Sequence, residues 1–154
     1  MSFIFEKVNT LTKRLGSLRE QPAGGVGTVE YVPCGYKTSN DAPAEGWQIF
    51  EPGQRISGKD THFWFRMAFR TPEAEEGHTL YLRVITGREG NWDATNPQGL
   101  VFLNGRMTQA LDTNHTMVRL EPGAEVRIQI YFYVGMIDVP VEFLPSLEIG
   151  RAHV

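Results

Sequence analysis

From Gly46 onward, apolar and polar residues alternate with a period of two, the spacing of strands whose successive side chains point to opposite faces of a sheet. In Thr61–Arg70, Phe63, Phe65, Met67 and Phe69 fall on one face, with Trp64, Arg66, Ala68 and Arg70 on the other, and Pro72 ends the run. In His78–Thr86, Leu80, Leu82 and Val84 alternate with Tyr81, Arg83 and Ile85. In Glu125–Val134, Val126, Ile128, Ile130 and Phe132 read as inward, and Arg127, Gln129, Tyr131 and Tyr133 as outward. Further strands are expected at His115–Leu120, ahead of a Glu121-Pro122-Gly123 turn, and near Val139–Leu147. Between Asn96 and His115 the chain reads as a hairpin. Leu100–Leu103 runs into Asn104-Gly105, a pair that tolerates the two positive φ angles of a type I′ turn, and the return strand breaks at Leu111-Asp112.

The front of the chain has another pattern. Ile4, Val8, Leu11, Leu15 and Leu18 recur at steps of three and four, which predicts an amphipathic helix over residues 3–20 and a helical segment 1–20. Gly16 weakens it by ~1 kcal/mol relative to alanine, and a lone helix of this length needs a partner surface. Residues 21–45 carry Pro22, Gly24, Gly25, Gly27, Pro33, Gly35 and Pro43. They read as an irregular connector, with a short extended piece at Thr28–Val32. The expected fold is mostly β: an antiparallel jelly-roll β-sandwich over residues 46–147, preceded by the N-terminal amphipathic helix. Strands without helices between them argue against a parallel sheet.

Length and charge narrow the functional classes. A chain of 154 residues suits one domain, and a net charge of −3 without a basic block argues against phosphate-driven nucleic-acid binding. No apolar run reaches the length of a membrane span, and Glu6 and Lys7 interrupt any secretory core, so a cytoplasmic setting with Cys34 as a reduced thiol is expected. Cys34 is expected to be a chance free thiol rather than a catalytic one, and Ser17, Ser39, Ser57 and Ser146 lack a nucleophile-elbow context.

Candidate chemistry is sparse. His62, His78, His115 and His153 form no metal-ligand spacing. Asp112, Asn114 and His115 lie close together as DTNH; they could serve a cation or sugar hydroxyls, but a turn in which Asp and Asn bond their own backbone is the far commoner use of such residues. Trp92 and Asp93, in the loop GREGNWDATNPQG, pair an aromatic face with a carboxylate, as a sugar platform does, and a tryptophan packed back on the sandwich rim accounts for them as well. No carboxylate pair stands out as an acid/base couple. Trp64 and Arg66 in FWFR suit a cation–π contact, an interdomain face or plain sheet packing.

Three stretches together resemble the N-terminal β-domain of glycoside hydrolase family 38 α-mannosidases of the bacterial and cytosolic type. They are GWQIFEPGQRISGKDTHFWFRMAFRTP, ITGREGNWDATNPQGLVFLNGRMTQALDTNH, and YVGM followed by VEFLPSL, and the amphipathic helix resembles that family's opening. The chain departs from the pattern at Ile56-Ser57-Gly58, where a second tryptophan and glycine are expected. The resemblance implies a galactose-binding-like sandwich that serves as an accessory domain. It further implies a parent enzyme that hydrolyses α-mannosides with retention, with zinc and all catalytic residues in a following catalytic domain missing from this chain. No catalytic, cofactor or metal residue is carried over. The implied partners are that catalytic domain, an α-mannoside glycan and, for the parent, further copies of itself. An autonomous carbohydrate-binding module is the alternative. The closing EIGRAHV matches a translated sequencing-adapter run, so residues 148–154 are expected to be a non-native tail without function.

Overall fold

A computed structural model describes residues 20–35, 42–90 and 96–151. The strands are β1 (Glu20–Gly24), β2 (Glu30–Cys34), β3 (Gln48–Ile49), β4 (Arg55–Ile56), β5 (His62–Arg70), β6 (His78–Ile85), β7 (Gln98–Leu103), β8 (Arg106–Leu111), β9 (Met117–Leu120), β10 (Glu125–Tyr133), β11 (Val141–Glu142) and β12 (Leu144–Arg151). They form a six-stranded sheet in the order β3-β2-β5-β10-β7-β8, a four-stranded sheet in the order β1-β12-β6-β9, and a small β4–β11 pair. The described strand pairings are antiparallel. The chain passes between the two large sheets from β5 to β6, β6 to β7, β8 to β9, β9 to β10 and again into β12, which is jelly-roll winding. The expected sandwich is therefore the observed fold. The expected helix lies outside the described residues, except that Glu20 opens β1.

The core is built by the alternation seen in the sequence. Phe63, Phe65 and Met67 from β5 and Ile128, Ile130 and Phe132 from β10 face Leu80, Leu82 and Val84 from β6, with Val118, Leu120 and Leu147 beside them. Phe65 is fully buried at the centre. Its ring stacks on Phe143 with centroids 3.8 Å apart and planes 7° from parallel, and meets Phe50 and Phe132 edge-on at 5.1 and 5.4 Å. Phe143 lies between β11, which pairs with β4, and β12, which pairs with β6; the chain changes sheets there and drives the ring inward.

Two stretches differ from the expected layout. Residues 21–45 hold β2 and most of β1. β2 pairs with β5 from Glu30↔Arg66 to Cys34↔His62, so its Tyr31 and Val32 are built into the large sheet. Pro33 is tolerated because β3 covers only Glu30 and Tyr31, which leaves the rest of β2 at the sheet edge among the described strands. β1 also contains a proline, Pro22, is likewise an edge strand, and has an irregularity between Pro22 and Gly24. Local composition reads such strands as loop, because the partners that order them are distant in sequence. At the other end, β12 continues past Leu147: Glu148, Ile149, Gly150 and Arg151 pair with Tyr81, Leu80, Thr79 and His78 of β6, and Glu148 bonds Arg83 across 3.1 Å.

Phe65→Ala is expected to cost about 3–5 kcal/mol in urea denaturation, because the stacked and edge-on rings around it close only partly over the space. Removing residues 148–154 is expected to cost at least about 1 kcal/mol, since Ile149 packs on the core and β1 loses three of its paired residues. An unchanged denaturation midpoint for that truncation would make the segment dispensable, as a non-native tail requires.

Candidate functional site

The outward face of the six-stranded sheet is as ordered as the core. At one register level the strands place Val32, Trp64, Tyr131, Leu100 and Ala110 in a row across β2, β5, β10, β7 and β8. Two residues along each strand a second row runs through Cys34, His62, Tyr133 and Gln98. Asp112, one residue past the end of β8, continues that row, because side chains two apart on a strand share a face. The first row is apolar and the second polar.

The β2–β5 half of this face is covered. Trp64 and Tyr131 form a second buried cluster with Val32 and Phe102, and Ala42 and Trp47 pack against it. Trp47 is held by its indole N–H, which donates to the Pro43 carbonyl at 2.8 Å. The Arg66 guanidinium lies 4.1 Å from the centre of the Trp47 ring and donates two hydrogen bonds to Glu30, at 3.2 and 3.3 Å. Within FWFR, Trp64 is therefore packed into the sheet, and the cation–π contact that Arg66 makes is with Trp47 instead.

Among the described residues, nothing covers the β10–β7–β8 half. Gln98, Gly99, Leu100, Ala110, Leu111, Asp112, Tyr131 and Tyr133 line a groove of about 370 Å³. The two tyrosines are fixed by their hydroxyls. Tyr131 Oη lies 2.6 Å from His62 Nδ1, and Tyr133 donates to Asp60 Oδ1 at 2.5 Å. That bond to a carboxylate retains the proton and raises the Tyr133 pKa above the ordinary tyrosine value. The floor is shaped by Gly99, where a Cβ would come within 3.0 Å of the Ile130 side chain on the core side.

A β-bulge decides which residues reach the groove. The turn has the expected geometry, with φ of 50° at Asn104 and 84° at Gly105. Leu103 pairs with Arg106 and Phe102 with Met107, but Val101 pairs with Gln109, so one residue of β8 is skipped. The shift sets Ala110 opposite Leu100 and turns Leu111 into the core, which leaves Asp112 on the groove side.

Asp112 is the sequence candidate that the groove contains. Its Oδ1 accepts three hydrogen bonds, from Asn114 N–H (2.8 Å), His115 N–H (2.7 Å) and His115 Nδ1 (2.9 Å). Asn114 and His115 are exposed members of this turn and do not line the groove. Oδ2 takes no hydrogen bond among the described residues. Partial burial pushes the Asp112 carboxyl up, but the bonds from Asn114 and His115 outweigh it and hold the pKa below the ordinary aspartate value. Trp92 and Asp93 lie outside the described residues; the loop that carries them enters β7 through Asn96 and Pro97, immediately before Gln98. The outward tyrosines were legible in the alternation. Their meeting with Gln98 and Asp112 depends on register and was not.

Elsewhere, burial raises the Cys34 thiol pKa, which disfavours the reactive thiolate. Among the described residues no group of three or more His, Cys, Asp or Glu side chains is placed to hold a metal ion. No helix among them is long and apolar enough to cross a membrane.

No family model and no curated protein matches the chain. Among solved structures the fold is similar to part of a putative β-galactosidase from Bacteroides fragilis, at 16% identity and a TM-score of 0.50. The likeness covers 86% of this chain and 23% of that one, so the chain spans less than a quarter of the longer protein.

Because Asp112 has a lower pKa folded than unfolded, its turn adds stability above the unfolded carboxylate pKa and loses it as pH falls through the folded value. A ¹³C-carboxyl NMR titration is expected to place the Asp112 midpoint below about 3.9. A midpoint at or above that value would mean that the three bonds to Oδ1 are not formed in solution.

Proposed function

We propose that this chain is a non-catalytic accessory β-domain of a glycosidase, and more finely the N-terminal β-domain of a family 38 α-mannosidase. What supports the coarser reading is the correspondence of most of the chain to less than a quarter of a longer protein named as a β-galactosidase. That is the proportion of one domain within a multidomain hydrolase. The finer reading rests on the family resemblance of the three sequence stretches. One of them, ITGREGNWDATNPQGLVFLNGRMTQALDTNH, spans β7, the Asn104-Gly105 turn, β8 and the Asp112 turn, the segment that frames the groove.

The division of labour follows from the carboxylates. Glycoside hydrolysis with retention uses two carboxyl groups about 5–5.5 Å apart, one as nucleophile and one as acid and then base. The groove is lined by one carboxylate, Asp112, and one of its oxygens already takes three hydrogen bonds. In the proposed parent, a separate catalytic region supplies both carboxylates and the zinc that holds sugar hydroxyls. This domain packs against that region, shapes the approach of an α-mannoside glycan and supports assembly of the parent into oligomers in the cytoplasm.

The purified chain is expected to hydrolyse 4-nitrophenyl α-mannoside no faster than buffer does. A longer copy of the gene is expected to encode a catalytic region adjoining this domain. Turnover by the chain alone, or an unrelated continuation of the reading frame, would overturn the proposal.

A further inference from the structure

We propose that the groove between Tyr133 and Asp112 is a binding site for a single uncharged hexopyranose residue. The accessory reading does not require this, because a domain that only packs needs no such site.

The first argument is the division of the lining. Neighbouring strands lie about 4.8 Å apart and residues two apart on a strand about 6.7 Å, so the two rows extend over roughly 10 by 7 Å, close to the footprint of one hexose ring with its substituents. The row Tyr131, Leu100 and Ala110 presents carbon, and the row Tyr133, Gln98 and Asp112 presents heteroatoms along one border. A pyranose has the matching anatomy, with C–H groups on one face and hydroxyls around its rim. The volume of about 370 Å³ falls at the small end of ligand pockets, which run from roughly 300 to 1,000 Å³.

The second argument is the chemistry of the polar border. Asp112 is held ionised by the bonds to Oδ1, so Oδ2 is an acceptor only. Gln98 is exposed and carries both a donor and an acceptor. A hydroxyl donates to the Asp112 Oδ2 acceptor. A phosphate or carboxylate ligand would meet the Asp112 charge with no cation among the lining residues. A hard cation needs six or more oxygen ligands, which one carboxylate oxygen and an amide do not approach. The tyrosine hydroxyls are engaged with His62 and Asp60, so the rings are held in place before a ligand arrives.

The third argument is placement. The open groove lies at the end of the sheet opposite the Asn104-Gly105 turn, where β7 begins and β8 ends. The chain entering β7 and the Asp112–His115 turn border it, and the covering loop around Trp47 protects the other half of the same face.

The test is a ¹⁵N NMR titration of the whole chain with methyl α-D-mannopyranoside and, separately, methyl β-D-galactopyranoside. At least one glycoside is expected to move the amide signals of Gly99, Leu100, Ala110 and Asp112 with saturation in the millimolar range, a dissociation constant of about 1 mM or weaker. Gln98→Ala, at an exposed position, is expected to weaken binding about two- to tenfold, and Asp112→Asn, which keeps an acceptor for the turn, about tenfold or more. Sodium D-mannuronate is expected to leave these signals unmoved. The proposal is overturned if neither glycoside gives saturable shifts, if the shifts lie away from the groove, if both variants bind as the parent chain does, or if arginine methyl ester saturates the groove and the glycosides do not. Loss of sugar binding leaves the accessory reading standing, because that reading is tested by turnover and by the continuation of the gene.

Discussion

The nine-residue antiparallel ladder between β5 and β10 is the constraint on which both the core and the groove depend. It pairs Phe65 with Ile130 and Trp64 with Tyr131, so the same alternation that sends one residue into the sandwich sends the next to the outer face. A slip of β10 by one residue would exchange its faces, exposing Ile130 and burying Tyr133. That slip is opposed by the rings packed around Phe65, above all the parallel stack with Phe143. The groove therefore inherits its precision from the core, and its tyrosines are held by strands that cannot shift without breaking the centre of the protein.

The β7–β8 hairpin adds the other wall on a different principle. Its Asn104-Gly105 turn sets a two-residue register at one end, and the bulge opposite Val101 and Phe102 changes that register before the strands reach the groove. With the bulge, Leu111 completes the core and Asp112 stands beside Gln98. The hairpin's contribution is geometric: it carries the long loop into β7 and the Asp112 turn out of β8 at the same end of the sheet.

A functional picture follows from these two features. Among the described residues, the outer face of the six-stranded sheet is half covered, and the rest of it forms a groove with an apolar floor and a polar border. Under the accessory role proposed above, the groove would contribute contact chemistry around a single lining carboxylate, Asp112. The backbone bonds that stabilise the Asp112 turn also keep that carboxylate charged, so one residue serves the local fold and the electrostatics of the groove together.

Several elements were legible in the amino-acid order because their determinants are local. Period-two alternation in Phe63–Phe69, Leu80–Val84 and Val126–Phe132 places those residues in the core of a β-sandwich, and Asn-Gly specifies the turn. Asp112, Asn114 and His115 were recognisable as a turn that bonds its own backbone, and Asp112 does so through Oδ1. Other features depended on partners far along the chain. Pro22 and Pro33 made β1 and β2 look like connector, and only pairing with β12 and β5 makes them strands. Residues 148–151 read as a tail, yet β6 holds them in a ladder. The convergence of Tyr131, Tyr133, Gln98 and Asp112 rests on cross-strand register and on a bulge. Alternation along one strand determines which face a residue takes, but which residues become neighbours on that face is decided only when the strands pair.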